Sequence, residues 1–70
     1  MDLFRKLSTW IWEFGDEFVL NSALRAAMDY FPGAIFTSSG TTLQYAPTGS
    51  LQYDLVVAGF LKSYGGMFNS

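Results

Sequence analysis

The side chains able to do chemistry in this chain are few in kind. The nucleophile candidates are the hydroxyls of Ser38, Ser39, Thr41, Thr42, Ser50 and Ser63 and the amines of Lys6 and Lys62, and the densest carboxylate group is Glu13, Asp16 and Glu17. The 70 residues include no cysteine and no histidine, which removes disulfides, zinc sites, haem ligation and thiol or imidazole catalysis. A serine nucleophile would need a lysine or carboxylate base delivered by tertiary contacts, and no Gly-x-Ser-x-Gly motif is present. Ser38-Ser39-Gly40-Thr41-Thr42 has the small and hydroxyl residues of a phosphate-cradling loop without its Gly-Lys-[Ser/Thr] ending, so it reads as a turn. Calcium loops need oxygen ligands at set positions around a turn glycine; Gly15 precedes Asp16 and Glu17, which read as helix capping and solvation. No catalytic, metal-ligating or cofactor-binding residue is assigned, and the expectation is a protein that is not an enzyme.

Binding chemistry has more material. The chain is 50% hydrophobic, 19% aromatic and 14% charged, with a net charge of −2. So few charges leave little polar surface to hold partners off, and a domain this short gains margin from a disulfide, a metal or association. With the first two absent, association is the expectation. Arg5, Lys6, Arg25 and Lys62 are scattered, which disfavours nucleic acid, whose affinity comes from clustered cations. Tyr45, Tyr53, Gln44 and Gln52 have the side-chain types of a stacking surface, but alternation along a strand puts rings and amides on opposite faces.

The elements that must position these residues divide at Pro32. On a 100° wheel, Leu3, Phe4, Leu7, Trp10, Ile11, Phe14 and Phe18 share one arc, which predicts an amphipathic helix. Its phase slips after Phe18, and Gly15 as a left-handed stop with Asp16 as an N-cap would begin a second helix. Val19, Leu20, Ala23, Leu24, Ala27, Met28, Tyr30 and Phe31 form that helix's stripe, ended by Pro32 and Gly33. Trp12 falls about 180° from Leu3 on the first wheel, so it is expected as an anchor for a partner or a membrane interface unless the tail or sheet folds over it. The same helix could lie on a membrane surface through Trp10, Trp12 and Phe14.

Beyond Pro32 the segments Thr42-Leu43-Gln44-Tyr45 and Ser50-Leu51-Gln52-Tyr53 flank Ala46-Pro47-Thr48-Gly49, the chemistry of a three-residue hairpin loop. The expected fold class is therefore α+β: two N-terminal amphipathic helices, then a small antiparallel meander with the hairpin 42–46/50–57. A further strand is expected around Ala34 to Thr37. One small domain comprises a helical part, 2–31, a sheet part, 34–57, and a tail, 58–70, read as strand, helix or extended arm. Residues 34–70 carry only Asp54 and Lys62 as charges; Val56 and Phe60 need cover from the helices, the tail or another subunit, and Met67 with Phe68 could dock onto a neighbour.

The expected function is a non-catalytic structural or accessory subunit of a larger assembly, such as a virus particle or multi-subunit complex. Its contact residues would be Trp12, Val56, Phe60, Met67 and Phe68. The alternative is a peripheral membrane-associated amphipathic protein. No apolar stretch is long enough for a transmembrane helix, no signal peptide is expected, and no compartment is assigned.

Overall fold

The computed structural model describes residues 9–68. Their order is β1 (Trp10–Glu13), α1 (Glu17–Tyr30), β2 (Phe36–Ser39), β3 (Thr42–Tyr45), α2 (Leu51–Ser63) and β4 (Met67–Phe68). This corrects the expected fold class: helices and strands alternate, where the sequence reading placed two helices ahead of a meander. The first amphipathic helix is replaced over Trp10–Glu13 by a strand, and the second limb of the 42–46/50–57 hairpin is helix α2. Leu3, Phe4 and Leu7 of the first wheel lie outside the described residues.

The four strands form one sheet in the order β2-β3-β1-β4. β3 is antiparallel to both β2 and β1, so β1 and β2 run parallel with β3 between them. By the same logic β3 and β4 run parallel, with β1 between them. Each helix thus links two parallel strands across an intervening antiparallel one, giving two interleaved split βαβ units in the ferredoxin-like element order.

Local chemistry explains each element. Trp10, Trp12 and Phe14 recur with period 2, the spacing that puts them on one face of an extended chain. α1 begins where Asp16, in an extended conformation, accepts a 2.8 Å hydrogen bond from the Phe18 N–H, which satisfies a donor that the first helical turn leaves unpaired. It stops at Tyr30, ahead of Pro32. β2 and β3 pair from Phe36↔Tyr45 to Ser39↔Thr42, leaving Gly40-Thr41 as a two-residue turn. Gly40 adopts φ +62° and Thr41 does not share it, the pattern of a type II′ hairpin turn. α2 ends at Ser63 with Tyr64 as its cap, and Gly65, with a φ of +92° and an N–H bond to the Lys62 carbonyl, closes the last turn.

The sheet has one packed and one open face. Phe36, Tyr45 and Trp10 form one inward row, and Ser38, Leu43, Trp12 and Phe68 form the next. Leu20, Ala23 and Ala27 from α1 and Val57 and Leu61 from α2 close over them. The outward rows are Thr37, Gln44 and Ile11, then Ser39, Thr42, Glu13 and Met67.

Candidate functional site

Among the described residues, Asp54 is the buried charged side chain, and the sequence analysis assigned it no role. It sits in the first turn of α2, where a carboxylate is favoured by the helix dipole. Its Oδ1 accepts from the Tyr45 hydroxyl at 2.8 Å, the Thr48 hydroxyl at 3.0 Å and the Thr48 N–H at 3.1 Å. The Thr48 hydroxyl in turn accepts from the Ser50 N–H at 3.1 Å. The Tyr45 phenol pKa is raised, first by burial and second by its hydrogen bond to the Asp54 carboxylate.

Phenol, carboxylate and hydroxyl in contact resemble an acid–base pair in composition, but their placement does not serve one. Tyr45 has no exposed surface, Asp54 is 1% exposed, and one carboxylate oxygen already holds three donors. A general acid or base must reach the proton it moves. This cluster faces inward and ties the loop between β3 and α2 to the middle of the sheet. Among the described residues no group of three or more Asp or Glu side chains is placed to hold a metal ion.

The surface is where contact chemistry gathers. α2 buries Asp54, Val57 and Leu61 and exposes Leu51, Leu55 and Val56, each between 43% and 55%. Beside them runs a ladder of rings joining the two helices: Tyr53 to Phe31 at 5.9 Å, Phe31 to Phe60 at 5.3 Å, then Phe60 to Tyr30 at 5.1 Å and to Tyr64 at 5.0 Å. Tyr30 and Tyr64 leave part of their rings in solvent. The outer side of α2 therefore mixes these apolar and aromatic side chains with Gln52, Lys62 and Ser63, while α1 turns Glu17, Asn21, Ser22, Arg25 and Asp29 to solvent. A depression of about 210 Å³ over α1, lined by Phe18, Asn21, Ser22 and Arg25, brings together one cation and no base, so it offers no acid–base pair.

The anticipated contact residues do not converge. Trp12 is fully buried, with the Phe68 ring edge-on at 4.9 Å and Trp10 at 6.2 Å; it is not a surface anchor. Its indole N–H is buried without a hydrogen-bond partner among the described residues. Phe68 is half-buried against both tryptophans. Val56 lies on α2, Phe60 is half-buried in the aromatic ladder, and Met67 is exposed in the outward row of the sheet. Leu51 and Leu55, which a strand over 50–57 would set on the face opposite Val56, share the exposed side of α2 with it and with Gly59.

Trp10, Trp12 and Phe14 are all in the core, which corrects the expectation that they meet a membrane surface. No helix among the described residues is long and apolar enough to cross a membrane. The open sheet face presents Thr37, Ser39, Thr42, Gln44, Ile11, Glu13 and Met67, a set with neither aromatic ring nor cation for nucleic acid bases and phosphates.

The class defined here is a two-layer domain with helices over an antiparallel sheet in split βαβ order, which exposes Leu51, Leu55 and Val56 on the helical side and Met67 on the sheet. No protein-family model, no curated protein and no solved structure matches the chain.

Proposed function

We propose that this protein is a non-catalytic structural or accessory subunit that packs into a larger protein assembly through the outer face of α2. One observation carries the reading: α2 exposes Leu51, Leu55 and Val56, among Gln52, Lys62 and Ser63, in addition to the Val57 and Leu61 that it buries. A surface helix in a self-sufficient domain shows one apolar stripe and a polar back. Large apolar side chains left exposed on a second side of a helix are the kind that other structure covers. The rings of Tyr30 and Tyr64 extend the same surface with side chains favoured at protein interfaces.

The inward Asp54 cluster supports a role without catalysis, since its groups are consumed in holding the base of α2. With Trp10, Trp12 and Phe14 buried, the membrane-surface alternative has lost the aromatics on which it rested.

The test is the size of the native species. In extracts of the source cells, the chain should elute well above the mass of one copy, and Leu55→Glu should return it to monomer size with its fold intact by circular dichroism. A wild-type chain that leaves those extracts as a monomer overturns the reading.

A further inference from the structure

Tyr45 and Asp54 are closed to substrates, but an electron needs no open path. It crosses a few ångströms of packed protein by tunnelling, whereas a proton moves only along a hydrogen bond. The core supplies both routes. The ring centroids of Trp12 and Trp10 lie 6.2 Å apart, those of Trp10 and Tyr45 lie 6.3 Å apart, and the Tyr45 hydroxyl stands 2.8 Å from Asp54 Oδ1. All four side chains are buried in a domain 19 Å across its shortest axis. The row is therefore shut off from solvent chemistry yet never far from an oxidant at the surface.

The two ring types play different parts. An indole can lose an electron and keep its N–H proton. The Trp12 N–H is buried without a hydrogen-bond partner, so no base takes its proton, and oxidation there leaves an unpaired positive charge in the interior, which is costly. A phenol loses its electron readily only as its proton leaves, and Asp54 lies within the reach that a proton acceptor requires. Three donors on one oxygen are what an ionised, acceptor-only carboxylate takes. Among the described residues, Tyr45 is the tyrosine whose hydroxyl bonds a carboxylate.

We propose that the row Trp12, Trp10, Tyr45 and Asp54 is an internal sink for oxidising equivalents: a one-electron oxidant such as a diffusing radical takes an electron from the tryptophan pair, and the deficit settles on Tyr45. In the settling step the Tyr45 ring passes one electron to the tryptophan radical cation as its phenolic proton crosses to Asp54 Oδ1. The products are a neutral tryptophan, a neutral tyrosyl radical and a protonated Asp54. One buried positive and one buried negative charge cancel, and their attraction in a low-dielectric interior drives that direction. A later electron from a small reductant such as ascorbate lets the proton return from Asp54 to the phenol oxygen. Tyr45 has no exposed surface, so its radical cannot couple with a second chain, as radicals on the exposed Tyr30 and Tyr64 can.

Pulse radiolysis of the purified full-length chain at neutral pH, with azide radical as the oxidant, tests each part. Tryptophan-radical absorption should decay while tyrosyl absorption grows, at one first-order rate independent of protein concentration. That rate should fall at least twofold in heavy water, because the phenolic proton moves in the step. Tyr45→Phe should remove the slow growth, leaving the tyrosyl formed directly on exposed rings, and should raise dityrosine cross-linking between chains. Asp54→Asn keeps an oxygen beside the phenol but cannot take its proton, and should slow the step at least tenfold in a chain whose tryptophan emission shows an intact core. The heavy-water comparison needs no variant. Growth that survives Tyr45→Phe overturns the proposal by placing the sink on another tyrosine. A wild-type rate equal in light and heavy water overturns the transfer to Asp54, and tryptophan radicals that decay without tyrosyl growth overturn the relay as a whole.

Discussion

Asp54 carries a disproportionate share of the order in this domain, since a single oxygen ties a central strand, a loop and a helix start together. Removing it leaves the Tyr45 hydroxyl and the Thr48 N–H without their acceptor, and unsatisfied buried donors cost about 1 to 3 kcal/mol each. Asp54→Ala should lower stability by about 2 to 4 kcal/mol in urea denaturation, more than a polar substitution on an exposed position. Tyr45 gives the cluster a pH signature. Its phenol is held protonated in the fold above the ordinary tyrosine pKa of about 10. The unfolded chain ionises at that ordinary value, so the contribution is complete below about pH 10 and declines as pH rises toward the folded pKa. Tyr45→Phe should be less stable than wild type at neutral pH, and the gap between them should narrow as urea titrations move above pH 10. A constant gap would mean that the phenol is not held protonated. None of this was legible from Asp54 alone, because acceptor and donors meet only once β3 and α2 turn back on each other. Trp12 was different: its misfit on the helical wheel was the readable sign that the wheel had the wrong period.

At the scale of elements, the two misreadings share a cause. Trp10 and Phe14 fit a 3.6 spacing and a 2.0 spacing equally well, and only Trp12 between them distinguishes the two. All three are buried together in the extended chain, and aromatic residues favour strands. In Leu51–Ser63 the ambiguity reverses: Leu51, Tyr53, Leu55 and Val57 alternate as a strand would. The length of the run, Lys62 in its last turn and Gly65 after it are helix features. Periodicity could not decide because α2 carries apolar side chains on its exposed side as well as its buried one. Helix α1 has a polar back, and there the Asp16 cap and the stop before Pro32 lie where the sequence places them. The junction of α2 with β4 was readable only in part, since Gly66 owes its identity to a long-range contact. Its built Cβ would lie 2.7 Å from the Phe14 ring, which is itself buried. Gly66→Ala should therefore cost about 1 to 3 kcal/mol through overpacking, and pairing Gly66→Ala with Phe14→Leu should recover part of that loss. Additive losses in the double variant would show that the two residues are not in contact.

At the scale of the whole molecule, the question is how 70 residues without a disulfide hold together. Part of the answer is the concentration of rings under the helices, where Trp10, Trp12 and Tyr45 are fully buried and Phe36 and Phe68 pack against them. Both tryptophans lie in that one cluster, so their emission reports the fold and should shift to the red in one transition on heating. The remainder, on the assembly reading argued above, comes from association, and linkage makes that measurable. A partner that binds only the folded chain adds about 1.4 kcal/mol of stability for each tenfold rise in its concentration above the dissociation constant. The melting midpoint of the chain in extracts of the source cells, followed by the amount left soluble, should therefore lie above that of the purified chain. Leu55→Glu should melt at the same temperature in both, near the purified wild-type value, because its substitution lies on the exposed side of α2 and leaves the buried side untouched. A wild-type midpoint equally indifferent to the extract would mean that the ring cluster and the Asp54 tie suffice for a single chain, and that the exposed apolar side chains of α2 take no part in assembly.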